Sequence, residues 1–165
     1  MKRTDIIECI QRAFAKVPQP QELTLHVAEA HDSYDYENDK IHRQKDFFGP
    51  WQEIPTAHIR ACQCALSYLD NVGMCFYLPA YMVWYLQNWG NSREVSSDAT
   101  LYALDAHLSD RKLAEYQKER FSLFSKEQLH ACALFVKFCA EESSGFSDSD
   151  FAKKAYQRHW KQYDY

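Results

Sequence analysis

The sequence is poor in turn formers, with four glycines and five prolines in 165 residues. A sandwich or barrel of short strands needs such punctuation about every ten residues, so many-stranded folds are excluded and helices are favoured. The phosphate-binding GxxxxGK[ST] loop, the dinucleotide-binding GxGxxG turn and the GxSxG nucleophile elbow are absent, as are HExxH and any Cys-x-x-Cys pair. Those enzyme classes lack their first requirement. No repeat with a period of roughly 20 to 50 residues is visible, which removes helical-repeat solenoids. The longest apolar stretch, Val72 to Trp89, contains Pro79, Gln87 and Asn88. It falls short of the roughly 20 lipid-compatible residues of a membrane span and reads as buried core.

What is present is apolar and aromatic. Apolar residues make up 46% of the chain and aromatics 15%, enough for a substantial core, while 25% charged residues supply a polar surface. At this length one domain is expected, spanning 1–165. Lys2, Arg3, Asp5 and Glu8 interrupt the N-terminal segment, which therefore does not read as a signal peptide. A cytoplasmic location is expected. Cys9, Cys62, Cys64, Cys75, Cys132 and Cys139 lie among apolar residues and read as free thiols used as small hydrophobes in a reducing compartment. A net charge of −4 is too mild to imply a polyelectrolyte partner by itself.

Periodicity predicts an all-α bundle of about six or seven helices: a core bundle over 4–142 and a C-terminal helix over 147–163 docked on it. Thr4 is expected to cap a first helix that Pro18 and Pro20 end. A second helical stretch is expected from Glu22 to about Arg43, with a break at Gly49-Pro50. Pro55 is placed to start a third helix that puts Ile59, Cys62, Leu66 and Leu69 on one face and closes at Gly73. Pro79 is placed to start a fourth, apolar nearly all round, and Ser97-Asp98 a fifth that runs toward Leu108. Ser109-Asp110 is expected to open the next, to about Phe121. Ser125 to Gln128 forms a capping box before the apolar run Leu129 to Ala140, and Ser147 is placed to cap the last helix.

The most polar cluster lies between Glu29 and Asp46. On one continuous helix His31, Asp35, Asn38, Asp39 and His42 would share a face. These are metal-ligand and acid/base types, but imidazoles eleven residues apart would lie about 16 Å apart along the axis, too far for one ion. Asp32, Asp35 and His31 could do acid/base work if buried; a solvated acidic face is the plainer reading. Cys62-Gln63-Cys64 cannot converge on a metal from a helix, because residues two apart point in divergent directions. No metal, cofactor or catalytic residue is assigned. Lys153, Lys154, Arg158 and Lys161, interleaved with Tyr156, His159, Trp160 and Tyr163, outline a strip of the kind that binds nucleic acid; docking on the body explains the aromatics equally well. Eleven tyrosines and four tryptophans exceed what a core of this size needs, and Tyr34, Tyr36, Tyr156, Tyr163 and Tyr165 sit in polar company.

Trp51-x-x-Ile54-Pro55, Tyr77-Leu78-Pro79-Ala80-Tyr81 and Phe124-Ser125 with Leu129 make the chain resemble a family of uncharacterised bacterial proteins over roughly residues 4–142, the helix beyond Ser143 reading as the chain's own. The resemblance implies a helical cytoplasmic protein and carries over no catalytic residue. Small proteins of this type are sometimes immunity partners of toxins.

These readings lead to a protein-binding module, with an immunity-type role as its finer form, whose surface is Asp32, Tyr34, Asp35, Tyr36 and Asp39, charge steering the encounter and tyrosines anchoring it. The alternatives are a metal-assisted or acid/base enzyme using His31, Asp32, Asp35 and His42, and a nucleic-acid accessory protein using the basic C-terminal helix. A homo-oligomer is compatible with the sequence.

Overall fold

A computed structural model describes residues 1–90, 95–142 and 149–165. Among them are nine α-helices, seven of at least seven residues, and no strand. The helices are α1 (Arg3–Ala13), α2 (Leu25–Asp32), α3 (Asp39–Arg43), α4 (Thr56–Ala61), α5 (Asn71–Gln87), α6 (Val95–Tyr102), α7 (Arg111–Arg120), α8 (Lys126–Glu141) and α9 (Ser149–Arg158). Short 3-10 turns cover Trp51–Glu53, Ala65–Ser67 and Trp160–Tyr163. The expected cap Ser147 lies outside the described residues.

α5 is the axis of the molecule, and every residue from Gly73 to Leu86 on it is buried. It begins eight residues before the expected start at Pro79. Asp70 is its cap, accepting the Gly73 amide at 2.8 Å, so Gly73 lies inside a helix rather than ending one. A Cβ on Gly73 would come 2.8 Å from Leu69 Cδ2, and the missing side chain is what lets the first turn close on Leu69. Pro79 then sits mid-helix, where the ring removes one helical hydrogen bond at a cost of about 3 kcal/mol. Burial of a fully apolar helix on all sides outweighs it, at roughly 1.5–3 kcal/mol per large side chain. Sequence rules weighted the proline; tertiary packing overrode it.

The third expected helix is also shorter. Pro55 is the residue before α4, extended at ψ 139°, and α4 stops at Ala61. Ile59, Cys62, Leu66 and Leu69 all reach the core although the last three lie beyond the helix. α6 ends at Tyr102 rather than near Leu108. Asp110 caps α7 by accepting the Lys112 and Leu113 amides at 2.9 and 3.1 Å. The capping box of α8 is formed as read, Gln128 N to Ser125 Oγ at 3.2 Å and Ser125 N to Gln128 Oε1 at 2.9 Å.

α8 packs on α1 and, most extensively of all helix pairs, on α9. Trp160, fully buried, donates from Nε1 to the Leu104 carbonyl at 2.7 Å, and Phe151 meets Tyr102 edge to face. Trp51 is buried likewise, donating to the Phe14 carbonyl at 2.9 Å. Both of these indoles keep a partner for the N–H inside the apolar core, whereas the buried Trp84 indole has none among the described residues.

Candidate interaction face

The stretch from Glu22 to Arg43 is two helices, because α2 stops at Asp32 and the chain turns through Ser33 to Asn38 before α3. Ser, Asp and Asn offer the backbone local side-chain alternatives to helix, and this segment is built of them. The end of α2 is a Schellman turn: the Tyr34 amide donates to His31 O at 3.0 Å and the Asp35 amide to Ala30 O at 3.1 Å. The left-handed residue that such a turn requires is Tyr34, at φ 60°. Glycine is the usual occupant.

The reversal brings together what a straight helix would hold apart. His31 Nε2 meets Asp39 Oδ1 at 2.9 Å, and His42 Nε2 meets Asp35 Oδ2 at 2.7 Å. Asn38 Nδ2 donates to the other Asp35 oxygen at 2.9 Å, and Lys45 Nζ lies 3.2 Å from His42 Nδ1. Arg43 ties the end of α3 to the Glu22 carbonyl, Nη2 to O 2.7 Å. The hydrogen bond from His42, first, and that from Asn38 hold the Asp35 carboxyl below its usual range against a smaller opposing desolvation. Two His–Asp pairs thus staple the hairpin, one on each side of its turn. Both pairs are partly exposed.

Of the residues expected on the face, Tyr34 and Tyr36 are the most exposed, at 84% and 57%, and Asp32 is half-buried. Asp35 and Asp39 are brought beside them, but engaged by the histidines. Tyr36 leans on the His31 ring, centroids 4.7 Å apart. Tyr68, to which no sequence spacing pointed, joins from the turn after Ala65–Ser67. Its phenol is hydrogen-bonded to Asp32, which with burial and the nearby Tyr34 and Tyr36 pushes its pKa up. Tyr68 thus lies near both Tyr34 and Tyr36 while bonding Asp32. Beneath them Glu29 accepts the Cys64 amide at 2.8 Å, and burial, opposed by that bond, raises its pKa.

The hairpin is set on a second histidine cluster that sequence reasoning missed. Asp46, its side chain 2% exposed, accepts from both the backbone amide (2.9 Å) and the Nδ1 position (2.8 Å) of His26. A carboxylate at the first turn of α2 is favoured there by unsatisfied amides and the helix dipole. His58 lies edge-on to His26 at 4.9 Å; burial first, then His26, lowers its pKa, with Asp46 opposing. The only signal in the sequence was the types themselves, since 26, 46 and 58 share no period.

Among the described residues no three His, Cys, Asp or Glu side chains converge as a metal site. Cys62 and Cys64 thiols are pushed up chiefly by burial, and Cys75 is pushed up to about 11 by burial while bonding Gln128. All six cysteines are free. On α9 and the turn after it Lys153, Lys154, Arg158 and Lys161 are exposed, but Trp160 is buried and Tyr156 and Tyr163 half-buried. The aromatics interleaved with these cations thus dock the segment, as the alternative reading had it. Lys137 and Tyr156 both bind Asp164, completing that attachment. No described helix is long and apolar enough to cross a membrane.

The family model of DUF6714, a family of unknown function, matches residues 2–164. The chain belongs to that family. The match runs through α9 and the Trp160 turn, so the C-terminal helix is not an addition peculiar to this chain. No curated protein and no solved structure matches it. The residues that carried the resemblance do structural work: Trp51, Tyr77 and Tyr81 are buried, Pro55 precedes α4 and Ser125 caps α8.

Proposed function

We propose that the chain is a protein-binding module whose α2–α3 hairpin docks on another protein, with Tyr34 and Tyr36 as anchors and Asp32, Asp35 and Asp39 beside them. One observation carries this reading: Tyr34 is held in a left-handed conformation that costs a non-glycine residue about 1 kcal/mol, and its ring is 84% exposed. Strain retained where nothing in the fold uses the side chain points to a use outside the fold. Rigid tyrosines on a stapled turn are also economical anchors, since they lose few rotamers on binding.

The finer reading is an immunity-type protein acting in a reducing cytoplasm by occluding a basic surface of a toxin. Asp32, Glu37 and the two His-paired aspartates give the hairpin its acidic character, which favours a basic partner and steers its approach.

The test is affinity capture from cells that make the protein, run with wild type, Tyr34→Gly and Tyr36→Ala side by side. A partner retained by wild type and lost from both variants supports the reading. A partner retained equally by all three removes this face.

A further inference from the structure

A separate cleft opens between α7, the first turn of α8 and the C-terminal turn at His159 and Tyr163. α7 makes its main helix contact with α5, and its two buried residues are polar. Gln117 bonds the Ala103 carbonyl and Arg120 the Leu66 carbonyl. Pinned on that side by hydrogen bonds, α7 stands off α8 and leaves a volume of about 1040 Å³ between them. Its walls are apolar: Ala114, Phe121, Phe124 and Leu129, with Leu108 at the mouth. Phe121 and Phe124 meet edge to face at 5.0 Å, presenting flat aromatic surface.

Three features say what fits. The charges lining the cleft cancel, Arg111 and Lys118 against Glu115 and Glu119, with Arg111 and Glu115 joined at 3.2 Å, so neither an anion nor a cation is selected. Two hydrogen-bonding rings enter the lining, His159 and Tyr163; the ring nitrogens of His159 make no hydrogen bond among the described residues while its ring packs edge-on to Trp160 and Tyr163. Burial lowers the His159 pKa, which favours a neutral imidazole in the cleft lining. Finally Leu108, 59% exposed, follows His107, which is left-handed at φ 50° and fixed by Asp105 through its amide at 3.0 Å.

We propose that this cleft binds a small, uncharged, flat apolar molecule carrying one hydrogen-bond donor, the donor going to His159 and the rings lying against Phe121 and Phe124. The size is that of small-molecule sites, which are apolar with a few placed polar groups and lie between helices in bundles. The proposal uses none of residues 32–39, so it stands or falls apart from the docking hairpin.

The test titrates the full chain with 2-naphthol, followed by NMR shifts, with 2-methoxynaphthalene as the analogue lacking the donor. Saturable binding with shifts at Phe121, Phe124 and His159 is expected, about fivefold weaker for the methoxy compound or for His159→Phe, the size of one hydrogen bond. Ala114→Trp, filling the cleft, and Leu108→Glu, charging its mouth, should each remove binding; the second lies on an exposed position and keeps the test clear of a folding defect. A titration linear to the solubility limit, or saturable binding unchanged in both variants, overturns the site. So does a dimer in native mass that both variants dissolve, because the cleft would then hold a second copy of the chain.

Discussion

The Asp35 amide reaches back 3.1 Å to the Ala30 carbonyl, closing α2 around Tyr34 in a position that backbone energetics reserve for glycine. The turn would be easier to make without the tyrosine. Tyr34→Gly should therefore leave the fold intact and raise its stability by up to about 1 kcal/mol, read from the midpoint of urea unfolding. A loss of stability would mean that the ring contributes to packing and that its exposure has no functional meaning.

The His42–Asp35 staple makes a prediction about acid. The Asp35 carboxyl is held below its ordinary value, chiefly by His42. Its contribution is thus fully present above the unfolded value of about 3.9 and is lost as pH falls through the lower folded one. The carboxyl carbon shift of Asp35 should titrate below the usual range, and in His42→Ala it should move back toward it. A titration unchanged by the substitution would contradict the pairing.

His58 and His159 act on a different window. Burial depresses both, so the unfolded chain binds protons more readily just below its own histidine value of about 6.5. Stability should rise with pH through that window and level off above it. Replacing both by Gln should flatten the slope of urea midpoint against pH between about 5 and 7. A slope that stays unchanged assigns the dependence to other groups.

Trp160 tests whether the C-terminal segment belongs to the core. It is fully buried and bonded to Leu104, so Trp160→Ala should cost about 3–5 kcal/mol, and a chain ending at 142 should lose cooperative unfolding. A truncated chain that unfolds as sharply and at the same midpoint would show that 149–165 is an accessory layer.

Much of this fold was legible where one local rule was unopposed. Ser125 with Gln128 and Asp110 before Arg111 marked their helix starts because a side-chain oxygen and an orphan amide are within three residues of each other. The apolar run around Tyr81 announced burial, though not where its helix begins: Asp70 is a good cap, and the prolines drew attention away from it. Pro79 could be absorbed only because neighbours surround α5, which no local pattern reveals. The candidate face was legible in its residue types and misread in its geometry. A straight helix kept His31 and His42 apart, whereas the turn at Ser33 to Asn38 pairs each with an aspartate. Tyr68 and the Asp46–His26–His58 cluster came from long-range packing and left no spacing to find.

The most direct test of the docking hairpin is hydrogen–deuterium exchange on the protein alone and with its captured partner. The account predicts added protection of the amides from 32 to 40 and around Tyr68, with little change at 153–161. Protection confined to 153–161 would place the functional surface on the basic C-terminal segment and contradict it.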